Sequence, residues 1–259
     1  MADVGKIMRE GKCLLLAYDQ GMEHGPTDFS DENVDPAAIE KIAKDAGVFT
    51  GIVFQAGIAE KYRSDQLPPL VVKLNGKTGF HKKEEPVSLQ LCSVERAMEL
   101  GATAVGYTIY VGSEHEEEMM KEFGKIVEEA HEKDLPVVAW MYPRGKHIEE
   151  IEKRDRDRGD KKEMNETIAY AARLGLELGA DMVKLPFTGD TQSFSWVVKS
   201  AGKTRVVVQG GGKKEEGEFL EEVRQIMDSG AAGMAVGRNV WQHPDPVGIA
   251  KKVAQIIWG

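Results

Sequence analysis

The chain has 259 residues, 41% hydrophobic and 30% charged, and carries a net charge of −9. That acidity argues against a nucleic-acid surface or a binder of anionic membranes, although a local positive pocket could still take a small anion. There is no apolar leader and no run of about 18 apolar residues, and the two cysteines, Cys13 and Cys92, stand in no metal or redox spacing, so a reduced cytoplasmic protein is expected.

Apolar, β-branched runs recur along the chain. They predict strands at Cys13–Asp19, Gly51–Gln55, Leu70–Asn75, Ala104–Val111, Pro136–Tyr142, Met182–Phe187, Arg205–Gly210 and Gly233–Arg238. Runs that are apolar throughout suit parallel strands buried on both faces. Helical spacing falls between them, at Pro36–Ala46, Ser93–Leu100, Glu114–Lys133, Glu163–Leu178, Ser193–Ala201, Glu218–Ser229 and Asp245–Trp258, with a weaker helix in AGIAEKY after the second strand. Three helix ends, ELGATAVGY, ELGADMVKL and DSGAAGMAV, share a glycine stop and a short turn into the next strand. This rhythm predicts one domain over residues 1–259, an α/β fold of the (β/α)8 barrel type, with a doubly wound open sheet as the alternative. The stretch Glu149–Glu163, EEIEKRDRDRGDKKE, breaks the rhythm and reads as a solvated loop or helix of mixed charge, or else as a lid.

Barrel enzymes place their chemistry where strands end and βα loops begin. Here those ends collect polar residues: Asp19, Gln20 and His24 in AYDQGMEHG, and Lys73 and Asn75 on the third strand. Trp140, Tyr142 and Arg144 follow at a spacing of two, with Lys184 on the sixth strand. Each has a structural alternative: a turn cap for Asp19, a loop hydrogen bond for His24, core packing for Trp140 and Tyr142, snorkelling for Lys73, and a buried ion pair for Lys184. QGGGK and GRN after the last two strands, with Gly210, Gly211, Gly237 and Arg238, suit a phosphate held by backbone N–H groups and a guanidinium. A lysine in an apolar strand loses its proton more readily, which favours Schiff-base chemistry on a ketone, with Tyr142 as proton shuttle and Asp19 at a substrate hydroxyl. The histidines form no H-x-H or H-x3-H pair, so no metal and no other cofactor is expected.

From about Gly11 to Trp258 the chain resembles the archaeal-type class I fructose-1,6-bisphosphate aldolases, relatives of the DhnA-type aldolases. The segments that carry the likeness include LLAYDQGMEHGPTDF, VFQAGIAEKY, KLNGKT, AVGYTIYVGS, YPRGK, FTGDTQSFSWVVK and AVGRNVWQ. The resemblance implies a Schiff base on Lys184, with Tyr142 as proton donor and acceptor and Asp19 and Trp140 beside the substrate's carbon chain. It puts His24, Asp28 and Arg144 along the sugar and its distal phosphate, and Gly210, Gly211, Gly237 and Arg238 at the phosphate nearest the imine. It also implies a cytoplasmic homo-oligomer, commonly a decamer, acting on a phosphosugar in glycolysis and gluconeogenesis.

Four features depart from that family's pattern. Gln20 stands where histidine is usual, Gln209 replaces a serine at the phosphate loop, and Pro186 takes a position often held by lysine or another polar residue. The charged stretch at Glu149–Glu163 is also longer than usual. The first three bear on substrate preference. MYPRGKHI and HPDPVGI are closer to a related synthase, which makes 2-amino-3,7-dideoxy-threo-hept-6-ulosonate with the same lysine and tyrosine. A non-catalytic phosphosugar-binding barrel is the third reading.

Overall fold

The computed structural model describes residues 2–81 and 84–259. Its strands are β1 (Cys13–Ala17), β2 (Gly51–Gln55), β3 (Leu70–Lys73), β4 (Ala104–Val111), β5 (Val137–Pro143), β6 (Met182–Leu185), β7 (Arg205–Gln209) and β8 (Gly233–Val236). They close into one barrel in the order β1-β8-β7-β6-β5-β4-β3-β2, and every pairing within it is parallel. The outer helices are α1 (Pro36–Ala46), α2 (Ala56–Tyr62), α3 (Val94–Glu99), α4 (Glu116–Glu132), α5 (Lys146–Arg158), α6 (Lys162–Glu177), α7 (Thr191–Ser200), α8 (Glu216–Asp228) and α9 (Pro246–Trp258). The expected (β/α)8 barrel is therefore the fold, and the open doubly wound sheet is not.

The residues explain where the helices start and stop. Asp35, Ser93, Asp190 and Asp245 each cap a helix by accepting from a backbone N–H of its first turn. Two expectations shift locally. β3 stops at Lys73, because Asn75 leaves the barrel for a two-residue antiparallel pairing with Gln90, and its amide bonds Ser88 O, Thr108 O and Thr108 N. Asn75 is thus structural. The charged stretch forms most of α5, an additional helix between β5 and α6. Asp155 joins the two helices by accepting from Glu163 N (3.1 Å) and Met164 N (2.9 Å), while Arg158 holds its carboxylate at 2.5 Å.

The two-residue strand period sorts the core into two layers. Leu15, Val53, Val71, Ala104, Val138, Trp140, Met182, Val207 and Ala235 fill the barrel, with Ile7 of the N-terminal turn Val4–Ile7 among them. Leu14, Leu16, Ile52, Phe54, Val105, Ala139, Met141, Val183, Val206 and Val208 face outward against the helices. Lys73, Thr108, Tyr142, Lys184 and Gln209 share the inward parity at the C-terminal ends. Registers of Gln55 with Lys73, Thr108 with Trp140, Tyr110 with Tyr142, and Trp140 with Lys184 place them around one rim.

The seam between β8 and β1 depends on Gly233. At φ +147, a Cβ on this residue would lie 1.8 Å from the Cys13 carbonyl oxygen. Gly233→Ala is expected to cost about 3 kcal/mol or more of unfolding free energy, from strain and overpacking together. Urea unfolding followed by circular dichroism measures it.

Candidate active site

Lys184 projects from β6 into the barrel mouth and is 5% exposed, and Lys73 on β3 is 6% exposed. Their amines sit 5.1 Å (Lys184) and 5.2 Å (Lys73) from the centre of the Trp140 indole. Asp19, two residues beyond β1, places its carboxylate 3.7 Å from the Lys73 amine. Lys73 therefore pairs with Asp19 rather than snorkelling, and among the described residues Lys184 is in no ion pair. Burial lowers the Lys184 pKa to about 8; the more distant Asp19 opposes the shift and Lys73 adds to it. Burial also lowers Lys73, against the pull of Asp19 and Glu23. Tyr142 is pushed well above the ordinary tyrosine value by burial and then by Asp19, so its hydroxyl holds its proton at neutral pH.

A glycine makes room for this arrangement. A Cβ on Gly106 of β4 would come within 2.1 Å of the Trp140 ring, so the indole lies flat over β4 only because that residue has no side chain. The Trp140 indole N–H and the Gln20 amide nitrogen are buried and have no protein partner. Both residues line the central cavity of about 230 Å³ together with Asp19, Lys73, Tyr142 and Lys184. Unpartnered donors in a cavity suit a ligand that brings its own oxygen acceptors.

On the β7–β8 side, Gly210–Gly212 and Gly237 form the cavity wall beside Arg238. Asn239 holds this loop from beneath: its amide donates to Gly210 O (2.6 Å) and Gly212 O (2.9 Å), and its oxygen accepts from Lys214 N (2.8 Å). Arg238 donates to Gly211 O at 3.1 Å and lies 3.5 Å from Asp28. Asp28 in turn is 2.5 Å from His24 Nδ1. Asp28 therefore links His24 to the glycine loops and is not among the residues lining the central cavity.

Opposite, the guanidinium of Arg144 donates to Glu23 Oε1 at 2.6 Å, with Lys77 3.6 Å from the same oxygen. The Tyr110 hydroxyl donates to Glu23 Oε2 at 3.1 Å. Burial would raise the Glu23 pKa, but Arg144, Lys77 and His24, with the Tyr110 hydroxyl, hold it below the usual carboxylate range. Arg144 also lies 5.6 Å from the Tyr142 ring centre.

Of the fifteen residues singled out from the sequence, thirteen line the central cavity; Asp28 stands behind it, and Asn75 is structural. Glu23, Lys77, Tyr110, Thr108 and Asn239 were missed. Glu23 sits within the AYDQGMEHG motif itself, and Tyr110 and Thr108 have the inward parity of β4, so period counting could have found them. Lys77 comes from a loop whose path no local pattern defines. Among the described residues no group of three or more His, Cys, Asp or Glu is arranged to hold a metal ion, and no helix is long and apolar enough to cross a membrane.

Residues 13–243 match the DeoC/LacD family aldolase profile. The class 1 fructose-bisphosphate aldolase of Thermoproteus tenax is 49% identical over 258 residues, covering 97% of this chain and 91% of that protein. The class 1 fructose-bisphosphate aldolase of Halobacterium salinarum is 42% identical over 257 residues, covering 97% and 92%. Among solved structures, an archaeal fructose-1,6-bisphosphate aldolase with its catalytic lysine bound covalently to the carbinolamine intermediate of the substrate superposes with a TM-score of 0.88. It is 48% identical and covers 98% of each chain. With the barrel, the buried lysine and the glycine loops in place, the chain belongs to the DeoC/LacD family of aldolases.

Proposed function

We propose that this enzyme is a class I fructose-1,6-bisphosphate aldolase, reversibly cleaving the sugar to dihydroxyacetone phosphate and glyceraldehyde 3-phosphate through an iminium on Lys184. The observation that carries this reading is the Lys184 amine, desolvated in the barrel mouth, lowered to about 8 and in no ion pair. A neutral amine attacks the ketone, water leaves, and the iminium draws in the electrons of the adjacent carbon–carbon bond as that bond breaks. Tyr142, protonated and on the strand next to Lys184, relays the protons that the substrate's hydroxyl and carbinolamine oxygens release and take up. Asp19 receives a substrate hydroxyl, with Lys73 keeping its carboxylate in place. Gly210, Gly211, Gly237 and Arg238 take the phosphate nearest the imine, and the Trp140 and Gln20 donors meet substrate oxygens.

Relatives at 42–49% identity named for this activity favour it over the synthase reading. The unpaired buried lysine disfavours a binding-only barrel, since a buried charge without a partner is expensive to keep unless it is used. One domain per chain, a cytoplasmic location and no cofactor are the readings of the sequence, and assembly into a homo-oligomer, a decamer by analogy, follows from the resemblance.

Borohydride reduction in the presence of dihydroxyacetone phosphate is expected to leave one stable adduct, mapped to Lys184 by peptide mass spectrometry, and turnover should persist in EDTA. An adduct elsewhere, or none, overturns the mechanism. Tyr142→Phe should lower turnover about 10²-fold while the borohydride adduct still forms.

The same lysine carries a stability penalty of defined sign. The unfolded chain binds a proton on this lysine up to its ordinary pKa of 10.5, whereas the folded site releases it at about 8. The penalty is therefore complete below about pH 8 and vanishes as pH rises past 10.5. Lys184→Met should be inactive yet stabilised at pH 7 by on the order of 3 kcal/mol, converging with the wild type near the top of that window. Denaturant midpoints at several pH values measure this.

A further inference from the structure

Helix α5 begins without a cap of its own. The residue before it is Gly145, which has no side chain to accept the free N–H groups of the first turn. The acceptor comes from 61 residues earlier in the chain, where Glu85 Oε1 takes the Lys146 N–H at 2.8 Å. Glu85 Oε2 takes the Glu114 N–H at 3.3 Å. The Lys146 amine stands 3.8 Å from the same carboxylate, and the Glu85 side chain is 4% exposed. Desolvation would raise the pKa of this carboxyl, but the two backbone N–H groups, and then Lys146 and His115, hold it below its ordinary value. Gly145 leaves room for the contact: at φ +125, a Cβ there would lie 2.7 Å from Glu85 Oε2.

Glu85 itself stands on a fixed base. Ser113 donates its hydroxyl to Pro86 O at 2.7 Å, and the Asn75 amide donates to Ser88 O at 2.8 Å. The carboxylate therefore ties together the loops that follow β3, β4 and β5. Arg144 lies in the last of these and lines the central cavity. Its N–H is bound to Val111 O, at the end of β4, at 3.0 Å. Two residues on, the Lys146 N–H is held by Glu85.

Arg144 also lines a wider cleft of about 910 Å³ outside the cavity, so it stands where a long substrate leaves the barrel mouth. One guanidinium nitrogen donates to Glu23 at 2.6 Å, and among the described residues its other N–H groups have no partner. A planar fork with free donors suits a phosphate. A sugar bisphosphate with one phosphate on the glycine loops brings its other across the cavity towards Arg144. Tyr142 depends on Glu85 far less, because it is held within β5 by pairing with Tyr110 of β4.

We propose that Glu85 is a positioning residue for the bisphosphate: by capping α5 from outside, it fixes the Arg144 guanidinium where the second phosphate arrives. The inference rests on the aldolase reading above. Guanidinium recognition of phosphate is directional, and a small backbone rotation at Arg144 is magnified along its side chain. Loss of the cap therefore weakens binding of the distal end of the substrate and leaves iminium formation at Lys184 untouched.

Two assays on the full chain separate positioning from folding. One is steady-state cleavage of fructose 1,6-bisphosphate; the other is the rate of borohydride adduct formation with dihydroxyacetone phosphate, which carries no second phosphate. Glu85→Ala should raise KM for the bisphosphate about 10-fold or more, with kcat within about threefold and the adduct rate within about twofold. Glu85→Gln, whose amide oxygen still accepts from the Lys146 N–H, should bring KM back to within about threefold of the wild type. In an Arg144→Ala background, Glu85→Ala should add less than about twofold. If Glu85→Ala does not fold, Glu85→Asp is read the same way, because its carboxylate falls one methylene short of that N–H. Equal losses in both assays, an unchanged KM, no recovery in Glu85→Gln, or additive losses with Arg144→Ala overturn the positioning role and leave the aldolase reading intact. A wild type that neither cleaves the bisphosphate nor forms an adduct removes both.

Discussion

Lys184 keeps its amine among an indole face, a second lysine and apolar barrel walls, where a positive charge is poorly solvated and no carboxylate touches it. Much of the upper barrel depends on this constraint. Asp19, the nearest acid, is paired with Lys73, so it reaches Lys184 only as a weaker, longer-range field. Trp140 covers both amines because Gly106 yields its side-chain space. The desolvation that destabilises the folded protein is the same effect that supplies a neutral nucleophile near physiological pH.

Around that centre the two ends of the cavity are built differently. The β7–β8 end is backbone held in shape by side chains: Asn239 grips two carbonyls of the glycine loop, and Arg238 is braced between Gly211 and Asp28. The β4–β5 end is made of side chains held by other side chains, with Glu23 binding Arg144, Lys77 and Tyr110 at one carboxylate. Helix α5 adds a further wall next to Tyr142, and its Arg158 joins Asp155 within the helix to Asp160 and Glu163 beyond it.

Most of the barrel could be read in advance because its signals are local. Apolar runs of the right length, glycine stops such as Gly101, Gly179 and Gly230, and caps such as Ser93 and Asp190 act within a few residues, and the elements they define lie within about two residues of those expected. The exceptions have tertiary causes. Asn75 reads as strand but is drawn into a ribbon by partners 13 and 33 residues away. The charged stretch reads as a solvated loop or helix or as a lid, and much of it is solvated, yet Ile151 and Asp155 within it are buried.

The sequence alone determined the number and order of the strands, the inward parity of Lys184, Tyr142 and Trp140, and the glycine loops at the last two strands, because alternation and turn chemistry are written in neighbouring residues. It could not decide which charges would pair. Lys73 with Asp19, Arg144 with Glu23, and the unpaired state of Lys184 depend on distances between residues far apart in the chain. Those distances are set by how a closed barrel staggers its strands, and they determine the reactive amine.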